Sequence, residues 1–289
     1  MMIRKPIKAG SFYPATKEEC IEQIEKAISR SFPSITLPLH IVGGIVPHAG
    51  WVYSGGTAGL VFKAIKEREK PNTFVMFSSV HVYGVNVPVM MAKGEWLTPM
   101  GSIEIDTNLA DVVAKEAGAL IELSPQPHLG EHSIEVQIPF ISYLFPESKI
   151  VPIMCPTDLD SIEIGRIIGN IVKTLPQGEV IIIGSSDLTH YGDFYYFSPK
   201  GRGEKALQWV KEVNDRRIIE LMLNLKPEEV IGEVNKNHNA CGGGAIAATL
   251  AAVKELGIKK GVLLEYTTSY DVMPWGEPGS FVGYAGVIF

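Results

Sequence analysis

Short apolar runs rich in β-branched residues alternate with longer segments of helical period from one end of the chain to the other. The runs Ile41–Val46, Thr73–Ser78, Val87–Met91, Ile150–Met154, Val180–Ile183, Gly261–Tyr266 and Val282–Phe289 read as strands. Most are continuously apolar rather than alternating, the pattern of strands covered on both faces. Helical spacing marks Lys17–Ser31, Thr57–Glu67, Asn108–Glu116, Ser133–Leu144, Ser161–Thr174, Glu204–Asn224 and Gly243–Leu256. Asp106-Thr107-Asn108 and Thr157-Asp158 supply N-caps, and Gly257 closes the last helix. This alternation predicts an α/β fold with a central, mostly parallel sheet flanked by helices. No repeat or composition shift marks a linker, and the loop Phe194–Gly203 is too short to part domains. One domain over residues 1–289 is expected.

Ligands of open α/β sheets bind beyond the carboxyl ends of the strands, and three histidines fall at that place. Ile41–Val46 runs into Pro47-His48-Ala49-Gly50-Trp51, and Thr73–Ser78 into Ser79-Val80-His81. Val180–Ile183 runs into Gly184-Ser185-Ser186-Asp187-Leu188-Thr189-His190. One such histidine is most often a loop residue satisfied by a backbone carbonyl. Core histidines scattered at random have no reason to choose the same end of each strand, so the three together mark a pocket. Asp187 either braces its turn through backbone N–H groups or orients His190 as a base or ligand.

Gly130-Glu131-His132-Ser133-Ile134-Glu135-Val136-Gln137 is a second dense cluster. Glu131 and Glu135 are spaced to share a face at a helix N-terminus, where the macrodipole alone would account for both. With His128 and His132 they are also candidate acid–base or supporting groups, although the order is not that of a zincin. Asn239-Ala240-Cys241-Gly242-Gly243-Gly244 opens an Ala-rich helix. A helix N-terminus favours the thiolate, the form that attacks and binds metals. The glycines either admit a ligand to backbone N–H groups or let the helix pack tightly, with Cys241 as a small hydrophobe. Cys20 and Cys155 read as structural, and Met90, Met91 and Met100 near Trp96 as core or pocket wall.

Composition narrows the class. A net charge of −6 carries no basic face for nucleic acid. No apolar stretch reaches the ~20 residues of a membrane span, and the N-terminus lacks the apolar core of a signal peptide. Three cysteines suit a reducing compartment, so a cytoplasmic protein is expected. No nucleotide cofactor is predicted.

Several blocks resemble the Memo family: Lys5-Pro6-Ile7-Lys8-Ala9-Gly10-Ser11-Phe12-Tyr13-Pro14, Pro47-His48-Ala49-Gly50-Trp51, Glu131-His132-Ser133-Ile134-Glu135-Val136-Gln137, Ser185-Ser186-Asp187-Leu188-Thr189-His190-Tyr191 and Asn239-Ala240-Cys241-Gly242. That family is similar in fold to the class III (LigB-like) extradiol dioxygenases, which use non-haem Fe(II) and dioxygen. The resemblance implies a metal site at His48, His81 and Cys241, with Asp187 and His190 lining the cleft. It also implies a shared system with radical-SAM and AMMECR-type proteins. Where the family usually has Gly-Pro-Asn-His or Gly-Pro-Ser-His, this chain has Ser78-Ser79-Val80-His81. A thiolate in place of the dioxygenase carboxylate softens the site towards Cu(I), Zn or thiolate-bound iron. The expectation is therefore a redox enzyme using Fe(II) or Cu, with His190, Asp187 and Glu131 as its catalytic groups. The alternative is an adaptor that binds a peptide or small ligand in the same cleft. A hydrolase built on Ser185 or Ser186 ranks last, for want of a nucleophile elbow.

Overall fold

The computed structural model describes residues 2–289. Its strands are β1 (Ile3–Arg4), β2 (Gly43–Val46), β3 (Thr73–Ser78), β4 (Val89–Met90), β5 (Glu95–Thr98), β6 (Gly101–Glu104), β7 (Glu122–Leu123), β8 (Lys149–Met154), β9 (Val180–Ser185), β10 (His190–Gly192), β11 (Val262–Thr268) and β12 (Ser280–Ile288). The main sheet runs β10-β12-β2-β9-β3-β8-β4-β7, with β11 also paired to β12; β1, β5 and β6 form a small separate sheet.

The four central strands, β2, β9, β3 and β8, are parallel. β10, β11 and β12 join antiparallel on one side, and β4 runs antiparallel to β8 on the other. The expected mostly parallel sheet is thus parallel at its centre and mixed at its flanks. The link Ser269–Gly279 between β11 and β12 is shorter than the dozen or more residues a parallel crossover needs.

Neighbouring residues of the central strands enter different layers, which explains their unbroken apolar runs. Phe74, Met76, Ile181 and Ile183 pack with helices Lys17–Ile28 and Trp51–Arg68. Val75, Phe77, Val180 and Ile182 pack with helices Thr107–Ala117, Leu159–Val172 and Gly243–Glu255. The caps fall as expected: Asp106 and Asp158 each accept a backbone N–H three residues on, at 3.1 Å, and Gly257 is left-handed (φ +89°). Cys20 and Cys155 are buried. Met90 and Met91 are buried as well, and Met100 is partly so.

Four departures bear on the site. Helix Trp51–Arg68 begins right after His48-Ala49-Gly50, earlier than expected, because Gly55 and Gly56 mask its helical signal. Between Ser133 and Leu144 only Ile138–Leu144 is α-helical, after a 3₁₀ turn at Glu135–Gln137. Glu131 and Glu135 therefore do not share a helix face, and the macrodipole does not explain them. The expected helix Glu204–Asn224 contains a π-turn, Val210–Asn214. The sequence reading has no helix at Pro227–Asn237, although the N1 proline and the buried Val230 and Val234 stripe are helical signals. Among the described residues no helix is long and apolar enough to cross a membrane.

The N-terminal segment is pinned by a buried cation. Arg4, with no exposure, pairs with Glu135 at 2.7 Å, donates to the carbonyls of His128 and Glu131, and stacks on Trp96. Glu135 also accepts the N–H groups of Ile7 and Lys8 and the Tyr13 hydroxyl. Arg4→Ala would strand this carboxylate in the interior, a loss of about 3–5 kcal/mol. The expected readout is a lower urea midpoint with an unchanged slope; a midpoint like wild type would show that the pair carries no stability.

Candidate metal centre

The register of the parallel strands brings the ends of β2 and β3 to the two sides of β9. Val46 lies opposite Ser185, and Phe77 opposite Gly184. His48 follows β2 closely, and its backbone N–H donates to Asp187 Oδ1 at 2.7 Å. Its Nδ1 lies 3.1 Å from Ser185 Oγ, whose own hydroxyl donates to the Ser133 carbonyl at 2.7 Å. Ser185 must therefore accept at Nδ1, and the His48 tautomer follows: Nδ1 carries the proton and Nε2 offers its lone pair. Nε2 faces Cys241 Sγ at 3.2 Å.

His81 is held in the same way by Glu131. The carboxylate takes the His81 N–H at 2.6 Å and its Nδ1 at 2.9 Å, leaving Nε2 free. It also accepts the N–H groups of His132 and Ser133, each at 2.8 Å. Glu131 was expected among the catalytic groups; it lies behind His81, only 1% exposed, and does not line the cleft. Both oxygens are engaged by protein donors, so it orients the His81 ring.

Cys241 comes from the opposite direction, ahead of helix Gly243–Glu255. Its N–H donates to the Asp187 carbonyl at 3.2 Å, and Leu188 and Ala240 form a β-bridge beside it. The neighbouring glycines serve packing: a Cβ on Gly244 would lie 1.9 Å from the Pro156 oxygen, and one on Gly242 2.3 Å from Ser79 Oγ. The departure from the family motif thus places the Ser79 hydroxyl near the thiol, at 3.7 Å.

One donor atom each from His48, His81 and Cys241 lies within 4.8 Å of the others. Imidazole and thiolate bonds of about 2.0–2.3 Å put tetrahedral donors roughly 3.5 Å apart, so the trio fits a single metal ion after a small closure. His81, Glu131 and His132 form a second group of this kind. There the Glu131 oxygens are already taken, so the group reads as support for the first.

The electrostatics favour the ligating form of Cys241, the thiolate, and a proton on each histidine that a metal ion would have to displace. Burial raises the Cys241 thiol, but the charge and hydrogen bond of His48, with His81 beyond, outweigh it and hold the thiol well below its usual range. Burial lowers His48 and His81, yet Cys241 lifts both, aided by Asp187 at His48 and Glu131 at His81, which reaches about 10. Burial likewise raises Glu131, but His81 brings it below the usual carboxylate range. His132 is pushed down to about 3 by burial and by the charges of His48 and His81. Its ring stands 4.6 Å from His81 and 5.5 Å from His48, making it a third imidazole of the cleft. The sequence flagged His132 within its cluster but gave no sign that it would face the other two.

Asp187 and His190 line the same cleft but do not pair as expected. Asp187 is spent on the His48 N–H, whereas His190 Nδ1 lies 3.1 Å from the Leu188 carbonyl. The His190 ring packs edge-on against Tyr195 at 5.0 Å. A separation of three residues across the end of β9 points the two side chains to different partners. Ser185 and Ser186 are fully buried, and both hydroxyls donate to backbone carbonyls, so neither is a free nucleophile.

His48 and His81 face a cleft of about 1020 Å³ walled by Phe12, Tyr53, Tyr195, Trp275 and Tyr284. A second cavity, about 930 Å³ and bordered by Arg30 and Glu265, holds none of the trio.

An α/β protein that gathers two imidazoles and a cysteine thiol at its strand ends is the class this arrangement defines. The chain belongs to the Memo family: the model for Memo-like protein matches residues 4–288. MEMO1 family proteins of Thermococcus onnurineus and Nitrosopumilus maritimus are each 37% identical, with 100% of this chain and 99% and 100% of those proteins covered. The MEMO1 family protein of Pyrococcus horikoshii is 36% identical over 99% of both chains. An uncharacterized protein of Escherichia coli K12 shares the fold, with TM-score 0.55 and 12% identity over 86% of this chain and 100% of that one.

Behind His190, Thr189 donates its N–H at 3.0 Å and its hydroxyl to Asp215 Oδ1, and Tyr266 donates to Oδ2 at 2.8 Å. Burial lifts Asp215 to about 6 from 3.8. A carboxyl raised on folding adds stability below its unfolded pKa and loses it as pH climbs through the folded one. Between pH 4 and pH 7 the wild type should therefore lose about 2 kcal/mol relative to Asp215→Asn. Denaturation of both proteins across that window measures it, and parallel pH curves would refute the buried ionisation.

Proposed function

We propose that this protein is a metal-dependent redox enzyme in which His48, His81 and Cys241 hold a non-haem iron or copper ion beneath an organic substrate. The reading is carried by one observation: two Nε2 atoms and a thiol converge, with both Nδ1 atoms tied to Ser185 and Glu131. Such a donor set suits iron or copper, and the bound ion would supply one-electron chemistry and open coordination positions. The residues of the chain do the rest. Phe12, Tyr53 and Tyr195 cover apolar substrate surface and exclude water. His190, with Nδ1 on the Leu188 carbonyl, presents Nε2 as the proton-handling atom of the cleft. Asp187 secures the seat of His48 rather than tuning His190.

His48→Ala and Cys241→Ser should each remove most of the iron or copper from reduced, anaerobically prepared protein, because two donors are too few to offset dehydration. Glu131→Gln should weaken the metal about 10–100-fold while leaving it measurable. Metal analysis, with dioxygen consumption in the presence of reductant, reads all three. Full metal content in both ligand variants would eliminate the centre.

The second reading, a binding protein for a peptide or small ligand, draws on the size of the cleft and on Trp275 at its lip, 89% exposed. It predicts that His48→Ala binds its ligand as wild type does; the enzyme reading predicts loss of turnover in that variant.

A further inference from the structure

The loops that carry His190 and Cys241 come from distant parts of the chain, yet one buried residue holds both. Asn214 ends the π-turn, and its Nδ2 donates to Thr189 Oγ1 at 2.9 Å and to the Asn237 carbonyl at 3.1 Å. Its own carbonyl accepts Asn239 Nδ2 at 2.9 Å. Thr189 precedes His190, and Asn239 lies two residues before Cys241. The next residue, Asp215, closes the network by taking the Thr189 N–H and hydroxyl. Asn214, Asp215, Thr189 and Asn239 are at most 2% exposed. The Asp215 carboxylate presses so near β12 that a Cβ on Gly283 would lie 2.0 Å from Oδ2. Gly283 in turn pairs through its backbone with Leu188 and Thr189. The Leu188 carbonyl that receives His190 Nδ1 therefore belongs to a segment clamped on two sides.

Regular α-helix would not deliver these groups. Val210 is packed with Ala206 and Leu207 in one apolar cluster, whereas Ile218, Ile219 and Met222 lie in another. The wider turn between them lets both flanks keep their cores while the consecutive residues Asn214 and Asp215 both point inward, a use of π-turns that recurs at functional sites.

We propose that Asn214 and Asp215 are positioning residues, set by the π-turn, that lock the His190 strand to the Cys241 loop and so fix the His190 ring in the cleft. The proposal rests on His190 as the proton-handling group, but its test reads ring geometry and local opening, not turnover or metal content. In the full-length protein labelled with ¹⁵N-histidine, wild type should show His190 as a single Nδ1–H tautomer, assigned with His190→Gln. Thr189→Val, which keeps shape but loses the hydroxyl, and Asn214→Ala should both shift that signal towards the mixture of a free imidazole. Thr189→Ser should restore it. Amide exchange at Cys241 should quicken about tenfold in Asn214→Ala, because the side-chain bonds to the Asn237 carbonyl and to Thr189 are lost, leaving the loop tied to position 214 only by the Asn239 bond to the backbone carbonyl. A folded Thr189→Val or Asn214→Ala protein with the wild-type His190 signal and wild-type Cys241 exchange overturns the proposal, whatever its melting temperature. If Thr189→Val does not fold, Asn214→Ala decides alone. Should the metal assignment fail instead, these signals are unaffected and the two failures stay distinct.

Discussion

The in-register ends of three adjacent parallel strands, β2, β9 and β3, are the constraint on which the candidate centre depends. β9 lies between the other two, so His48 and His81 rise on either side of it, with Ser185 placed to receive the His48 ring. A one-residue slip of β2 would turn every side chain to the opposite face and remove that seat. Small residues make the arrangement possible. A Cβ on Gly184 would lie 2.3 Å from Thr249 Oγ1, so only glycine lets helix Gly243–Glu255 settle on β9 and bring Cys241 down to the histidines.

Around this constraint the protein buries more polar chemistry than its apolar core requires. Such groups are costly unless each meets a partner, and here the partners are largely backbone. Glu131 accepts the His81 N–H and the N–H groups of His132 and Ser133 in its own loop, and Arg4 ties the carbonyls of His128 and Glu131 to the carboxylate of Glu135. Asp187 and Ser185 each serve His48 from a different atom. The result is a pair of imidazole rings, His48 and His81, whose orientations the protein itself fixes.

The side chains that converge at the strand ends say more about possible chemistry than the architecture does. Two imidazoles and a thiolate are a softer donor set than two imidazoles and a carboxylate. The likeness to the protein of Escherichia coli K12 concerns fold alone. The Memo-family relatives match the chain from end to end without naming an activity. Aromatic walls line the cleft, and a third imidazole, His132, stands beside the other two.

Apolar periodicity was enough to place the central strands, most helices and the caps at Asp106, Asp158 and Gly257, because those depend on neighbours a few residues away. It was also enough to see that His48, His81 and His190 share one end of the sheet. Helix Pro227–Asn237 escaped even though its buried residues Pro227, Val230 and Val234 fall at helical spacing, and the π-turn escaped because a single wide turn leaves the helical pattern on either side intact. The roles of the polar residues lay beyond local pattern altogether. Asp187 sits three residues from His190 yet serves His48, and Glu131 finds its partner fifty positions away in His81. The contact between His48 and Cys241 spans 193 positions. Local spacing sets which face a side chain takes; which donor meets which acceptor is decided only when separate loops are brought together, since each buried polar group must be satisfied by whatever the packed fold places beside it.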